Sequence, residues 1–127
     1  MIGEFRSRAV ATAVFALAAG LSGCPLYDSL FDPPGKGEVA ERGYAICTPL
    51  IAALEKYRTE HQYYTASLNE LTPRYLSSLP EEDIKSMRVT YFSGGANYEL
   101  SFSYAGPGMN KCTYTSEKQA WSCIGYY

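Results

Sequence analysis

Twelve residues without a charge, Ala9 to Gly20, follow an amino end that carries Arg6 and Arg8. The run is too short to be a comfortable bilayer span, and a basic start followed by such a run is the layout of a secretory signal. Leu21-Ser22-Gly23 closes it directly before Cys24. What remains to fold after residues 1–23 is a chain of 104 residues, enough for one small domain and not for two.

Leu21-Ser22-Gly23-Cys24 resembles the lipobox of bacterial lipoproteins. The resemblance implies that the Cys24 thiol receives a diacylglyceryl group, that the chain is cut before Cys24, and that the new amino group is acylated. One acyl chain holds a protein only marginally, but each buried methylene adds about 0.8 kcal/mol, so two or three chains hold it durably. Beyond residue 23 there are 9 basic and 12 acidic side chains. That balance does not suggest nucleic acid as a partner, and it opposes recruitment by anionic lipid. Membrane attachment is therefore expected through lipid on Cys24, in the bacterial envelope. The outer membrane, facing the periplasm, is favoured over the inner.

Twelve tyrosines and one tryptophan stand out in so small a protein. Most of the aromatics lie in the second half, where they read as the packing of a sheet, or alternatively as a flat binding surface. With Cys24 set aside, Cys47, Cys112 and Cys123 remain, and an exported chain meets oxidising conditions that pair two of them.

Pro25 to Gly37 has three prolines, two glycines and no period, and reads as a tether that extends to about 40 Å. Leu26, Tyr27, Leu30 and Phe31 are apolar enough to touch the domain or the bilayer surface. From Glu38 to Gln62 the pattern is helical, with Cys47, Leu50, Leu54, Tyr57 and His61 on one stripe. Pro49 has no N–H to donate and crowds the carbonyl of Ala45, so a kink or short break is expected there, with Thr48 as an N-cap. Ser67-Leu68-Asn69-Glu70 has capping-box spacing and predicts a short helix ending near Thr72-Pro73. Tyr75, Leu76 and Leu79 fasten the irregular segment that follows to the core. Glu81, Glu82 and Asp83 suit the start of another short helix. Three acids without further oxygen ligands do not make a calcium site, and no metal or cofactor is expected.

From Met87 onward the period is two. A two-residue turn at Gly94-Gly95 would place Tyr91 opposite Tyr98, Val89 opposite Leu100 and Met87 opposite Phe102, each pair apolar. Ala105 to Asn110 is a loop. A second hairpin turning at Glu117-Lys118 sets Cys112 opposite Cys123 and Tyr114 opposite Trp121, although Glu-Lys is a poor turn pair and a wider turn fits too. Directly opposed residues are within disulfide range, and so short a bridged loop contributes about 2–3 kcal/mol. A Cys112–Cys123 bridge is expected, with Cys47 left as a buried thiol or an intermolecular bridge.

Ala53 to Leu71 (ALEKYRTEHQYYTASLNEL) resembles the run that joins the long helix to the sheet in type IV pilins and type II secretion pseudopilins. Gln62 and Thr65 stand where that pattern has glycine and proline. The resemblance implies an α+β domain over residues 38–127, a helix on a four-stranded antiparallel meander with a disulfide near the carboxyl end. The pilin cleavage site and its long apolar helix are replaced by the lipobox and tether, so filament assembly of the usual kind is not implied.

The single histidine, His61, lies on the apolar stripe, and no partnered nucleophile can be named for it. A non-enzymatic role is expected: an accessory or interaction module of a pilus, secretion or other envelope assembly. The alternative is a ligand-binding lipoprotein, an inhibitor or glycan binder using exposed tyrosines. Tyr63, Tyr64 and Phe92 are the candidate partner surface. Cys24→Ala is expected to release the protein from membranes or to leave it as an unprocessed, unacylated precursor, checked by the mass of the amino-terminal peptide and by membrane fractionation.

Overall fold

The computed structural model describes residues 32–106 and 108–126. The signal segment, Cys24 and the first part of the tether lie outside these residues. The elements run in the order α1 (Glu38–His61), a one-turn 3-10 helix η1 (Leu68–Leu71), α2 (Glu81–Ser86), β1 (Thr90–Ser93), β2 (Tyr98–Ala105), β3 (Met109–Thr115) and β4 (Ala120–Tyr126). The four strands form one antiparallel sheet in the order β1-β2-β3-β4, and α1 packs on one face of it.

Helix α1 is continuous through Pro49, so the break expected there does not occur. Ala45, whose carbonyl loses its N–H partner to the proline, is exposed, as is Pro49 itself. Water can take the place of the missing donor on that side. Thr48 is not an N-cap; its hydroxyl donates to the Tyr44 carbonyl at 2.8 Å within the helix. The buried stripe is Ala40, Gly43, Ile46, Cys47, Leu50, Ala53, Leu54 and Tyr57. The capping box is also replaced. Ser67 Oγ accepts from the Asn69 N–H at 3.3 Å, while the Glu70 carboxylate accepts from the Thr65 hydroxyl. Tyr75, Leu76 and Leu79 pack against the core, as their apolar character predicts.

The first hairpin differs from expectation in register. Its loop is four residues, Gly94 to Asn97, closed by the Gly94 N–H on the Asn97 carbonyl at 3.0 Å, with Gly95 at φ +87°. Tyr91 therefore faces Leu100, and Ser93 faces Tyr98. A shift of two residues keeps every side chain on its face, so Tyr98, Leu100, Phe102 and Tyr104 still share one side. Met87 stays buried but precedes β1, because Arg88 takes a positive φ of 47° and turns the chain before Thr90. In the second hairpin Cys112 faces Cys123 and Tyr114 faces Trp121, as expected, around a four-residue turn from Ser116 to Gln119.

One contact sets how closely helix and sheet approach. Gly43 lies in the interior of α1, and a Cβ there would stand 2.3 Å from the Phe102 ring. That ring is boxed by Tyr44 (centroids 5.2 Å apart, edge-on) and Trp121 (5.3 Å), so it has nowhere to retreat. Alanine at 43 would gain about 1 kcal/mol of helix propensity but overpack the core, which typically costs about 1–3 kcal/mol. Gly43→Ala is expected to be net destabilising, read as a lower urea midpoint at unchanged m value.

Candidate functional site

The chain enters the domain through a strap. Asp32 to Gly37 is not free tether, because Gly35 is buried between two tyrosines. Its N–H donates to the Tyr104 hydroxyl at 2.9 Å, and the Tyr44 hydroxyl donates to its carbonyl at 2.9 Å. Gly35 has φ +85°, and a Cβ there would stand 2.5 Å from Cys123 Sγ, so glycine alone fits the seat. Tyr44 Oη also lies 3.3 Å from Cys123 Sγ, which joins strap, helix and disulfide in one cluster. Burial, then the charges of Tyr104 and Glu41, push the Tyr44 hydroxyl pKa up.

The disulfide is Cys112–Cys123, as the sequence predicts, with a Cα–Cα distance of 4.1 Å, and Cys47 is a buried free thiol, the first of its two expected states. Burial pushes the Cys47 pKa up to about 12, which keeps it protonated and unreactive at neutral pH.

At the far end of α1 the three candidate surface residues separate. Tyr63 is 51 % exposed and Phe92 is 71 % exposed, but Tyr64 is only 5 % exposed and leaves the candidate surface. Its ring packs edge-on against Tyr98 at 4.7 Å, and its hydroxyl donates to Glu55 at 2.9 Å. Burial first, then that hydrogen bond, push its pKa up to about 12. Two adjacent tyrosines in a turn look alike in sequence. What separates them is that the Tyr64 N–H donates to the Gly95 carbonyl at 2.8 Å, which turns its ring inward.

His61 is engaged rather than available. Its ring lies 4.1 Å from that of Tyr57, and Nε2 is 3.1 Å from the Tyr75 hydroxyl. Tyr75 gives its own proton to the Glu60 carboxylate, so His61 Nε2–H is the donor in that contact. Arg74 pairs with Glu60 at 3.0 Å. The Tyr75 hydrogen bond, then the Arg74 charge, hold the Glu60 carboxyl below its ordinary value. The group is a surface clasp between α1 and the segment after η1.

Beside Phe92 a hollow of about 370 Å³ opens between the two hairpin turns, on the face away from α1. Phe92, Glu99 and Thr115 form one cross-strand row along it. Ser116 knits the turns together: its Oγ accepts from the Tyr98 N–H at 2.8 Å and donates to Asn97 Oδ1 at 3.3 Å. Sequence reasoning missed this hollow because it depends on the register and on the loop lengths.

Among the described residues no cluster of His, Cys, Asp and Glu is suited to hold a metal ion, and no helix is long and apolar enough to cross a membrane. The chain matches no protein-family model, no curated protein and no solved structure.

The buried Cys47 and Tyr64 make stability sensitive to alkali. In the unfolded chain they ionise near 9 and 10, but in the folded one both hold their protons to about 12. The unfolded state therefore loses protons first as pH rises. Stability should be fully present below pH 9 and fall between 9 and 12, by up to about 1.4 kcal/mol per pH unit for each lagging group. Urea midpoints across that range check this, and Cys47→Ala should move the onset towards pH 10.

Proposed function

We propose that this protein is a lipid-anchored, non-enzymatic interaction module of the bacterial cell envelope, with a pilin-like domain that contacts a pilus, secretion or other envelope assembly. The observation that carries the reading is where the aromatics go. Tyr44, Tyr57, Tyr64, Tyr91, Tyr98, Phe102, Tyr104, Tyr114 and Trp121 all belong to the core or pack against it. Tyr63 and Phe92 are the large aromatics left exposed among the described residues, too few for the flat platform a glycan binder needs.

Two departures from the pilin-type run support the same reading. Gln62, where that pattern has glycine, takes the left-handed conformation that glycine favours, at φ 65°. Thr65, where the pattern has proline, is fully buried, and its hydroxyl donates to the Glu70 carboxylate and accepts from the Ser67 N–H at 3.2 Å. At both positions, backbone conformation or side-chain bonding here does what glycine and proline would do in that pattern.

The strap gives the module a direction. Gly35 is seated at the amino end of α1, whereas Tyr63 and the Phe92 hairpin lie at its carboxyl end, and α1 has 24 residues, about 36 Å. From Cys24 to Asp32 the chain can reach about 29 Å at most. A lipid on Cys24 would therefore keep the strap end within about 29 Å of the bilayer and let Tyr63 and Phe92 stand as much as about 36 Å further out.

Photo-crosslinking amino acids at Tyr63 and Phe92 are expected to capture a common envelope protein in cells, and one at Glu41, near the strap, is not. Electron microscopy of the purified lipidated protein should show no polymer. Regular filaments made by this protein alone would overturn the accessory reading.

A further inference from the structure

Phe92 is the most exposed large apolar side chain among the described residues, and it stands at the rim of the hollow between the hairpin turns. Opposite it on β2 is Glu99, next in the row is Thr115, and Glu117 overhangs from the second turn. No lysine or arginine lines the hollow. The ion pairs among the described residues join Arg42 to Asp83 and Arg74 to Glu60, so neither Glu99 nor Glu117 is neutralised by one. The Thr115 hydroxyl oxygen is buried there without a hydrogen-bond partner. An exposed ring and two carboxylates without an ion pair among the described residues, around one concavity, are complementary to a ligand with an apolar stem and a cationic head.

We propose that this hollow receives a lysine or arginine side chain from an exposed segment of the partner protein. The proposal rests on the interaction-module reading above and names the partner's chemistry. The methylene stem lies along Phe92, the cation sits within reach of the ring face, and Glu99 and Glu117 neutralise the charge. An anionic headgroup or phosphate is repelled by both carboxylates. The Ser116 bonds between the turns fix the backbone from which Glu99 and Glu117 project, so binding orders their side chains and not the turns.

The test is a backbone-amide NMR titration of the full chain in detergent micelles with acetyl-Gly-Lys-Gly-amide, its arginine counterpart, and the norleucine counterpart, which keeps the stem and drops the charge. Saturable shifts are expected at Phe92, Glu99, Thr115 and Glu117 with both cationic probes, with the norleucine probe weaker by about tenfold or more. The double variant Glu99→Gln/Glu117→Gln should weaken the cationic probes to the same degree. Both positions are exposed, and unchanged shifts elsewhere report that the fold is intact. Phe92→Ala should weaken all three probes. Equal binding of the norleucine probe, shifts centred elsewhere, shifts that survive in the double variant, or no shift with either cationic probe would each overturn the proposal. The titration needs neither acylation nor the native partner. Its failure therefore leaves the anchored-module reading standing, and an unacylated Cys24 would leave the titration result standing.

Discussion

Phe102, seated in the notch that Gly43 leaves in α1, fixes how helix and sheet meet. A helix with a Cβ at that position would stand further from β2, and the core would lose its close packing. Tyr44 and Trp121 close around the ring, and the Cys112–Cys123 bridge lies against Tyr44 at the edge of the same cluster. With the approach set there, Leu50, Leu54 and Tyr57 complete one continuous core with Leu100 and Tyr98. The disulfide does two jobs. It pins β3 to β4, and its Cys123 sulfur forms the floor under Gly35.

That floor gives the molecule two unlike ends. At one, a strap without a side chain at Gly35 is held by two tyrosine hydroxyls against sulfur. At the other, two hairpin turns tied by Ser116 leave a hollow beside which the Thr115 hydroxyl has no hydrogen-bond partner among the described residues. The Gly35 N–H and carbonyl are both bonded at the strap end, whereas the Thr115 hydroxyl at the far end is not.

Much of this was legible in the residues. The helical stripe from Cys47 to Tyr57, the Cys112–Cys123 pairing and the shared face of Tyr98, Leu100, Phe102 and Tyr104 follow from periods of 3.6 and 2. Those periods are blind to displacements that preserve them. The first hairpin slipped by two residues because Gly94 to Asn97 closes as a four-residue loop, and the apolar pattern is the same in either register. Thr48-Pro49 carries a helix-start signal, yet α1 runs through it. The packing of Ile46, Cys47 and Leu50 on both sides outweighs one missing hydrogen bond on the solvent face.

By itself the sequence determined the element types, the faces and the disulfide, because these are set by local periodicity and by residues directly opposed across a tight turn. Tertiary structure alone decided that Tyr64 is buried while Tyr63 is exposed, that Gly35 is gripped, and that Phe92, Glu99, Thr115 and Glu117 meet around one hollow. Each of these depends on contacts between segments far apart in the chain, where the position of one backbone bond, such as Tyr64 N–H to the Gly95 carbonyl, selects which side chain turns inward. Neighbouring residues carry no record of that choice.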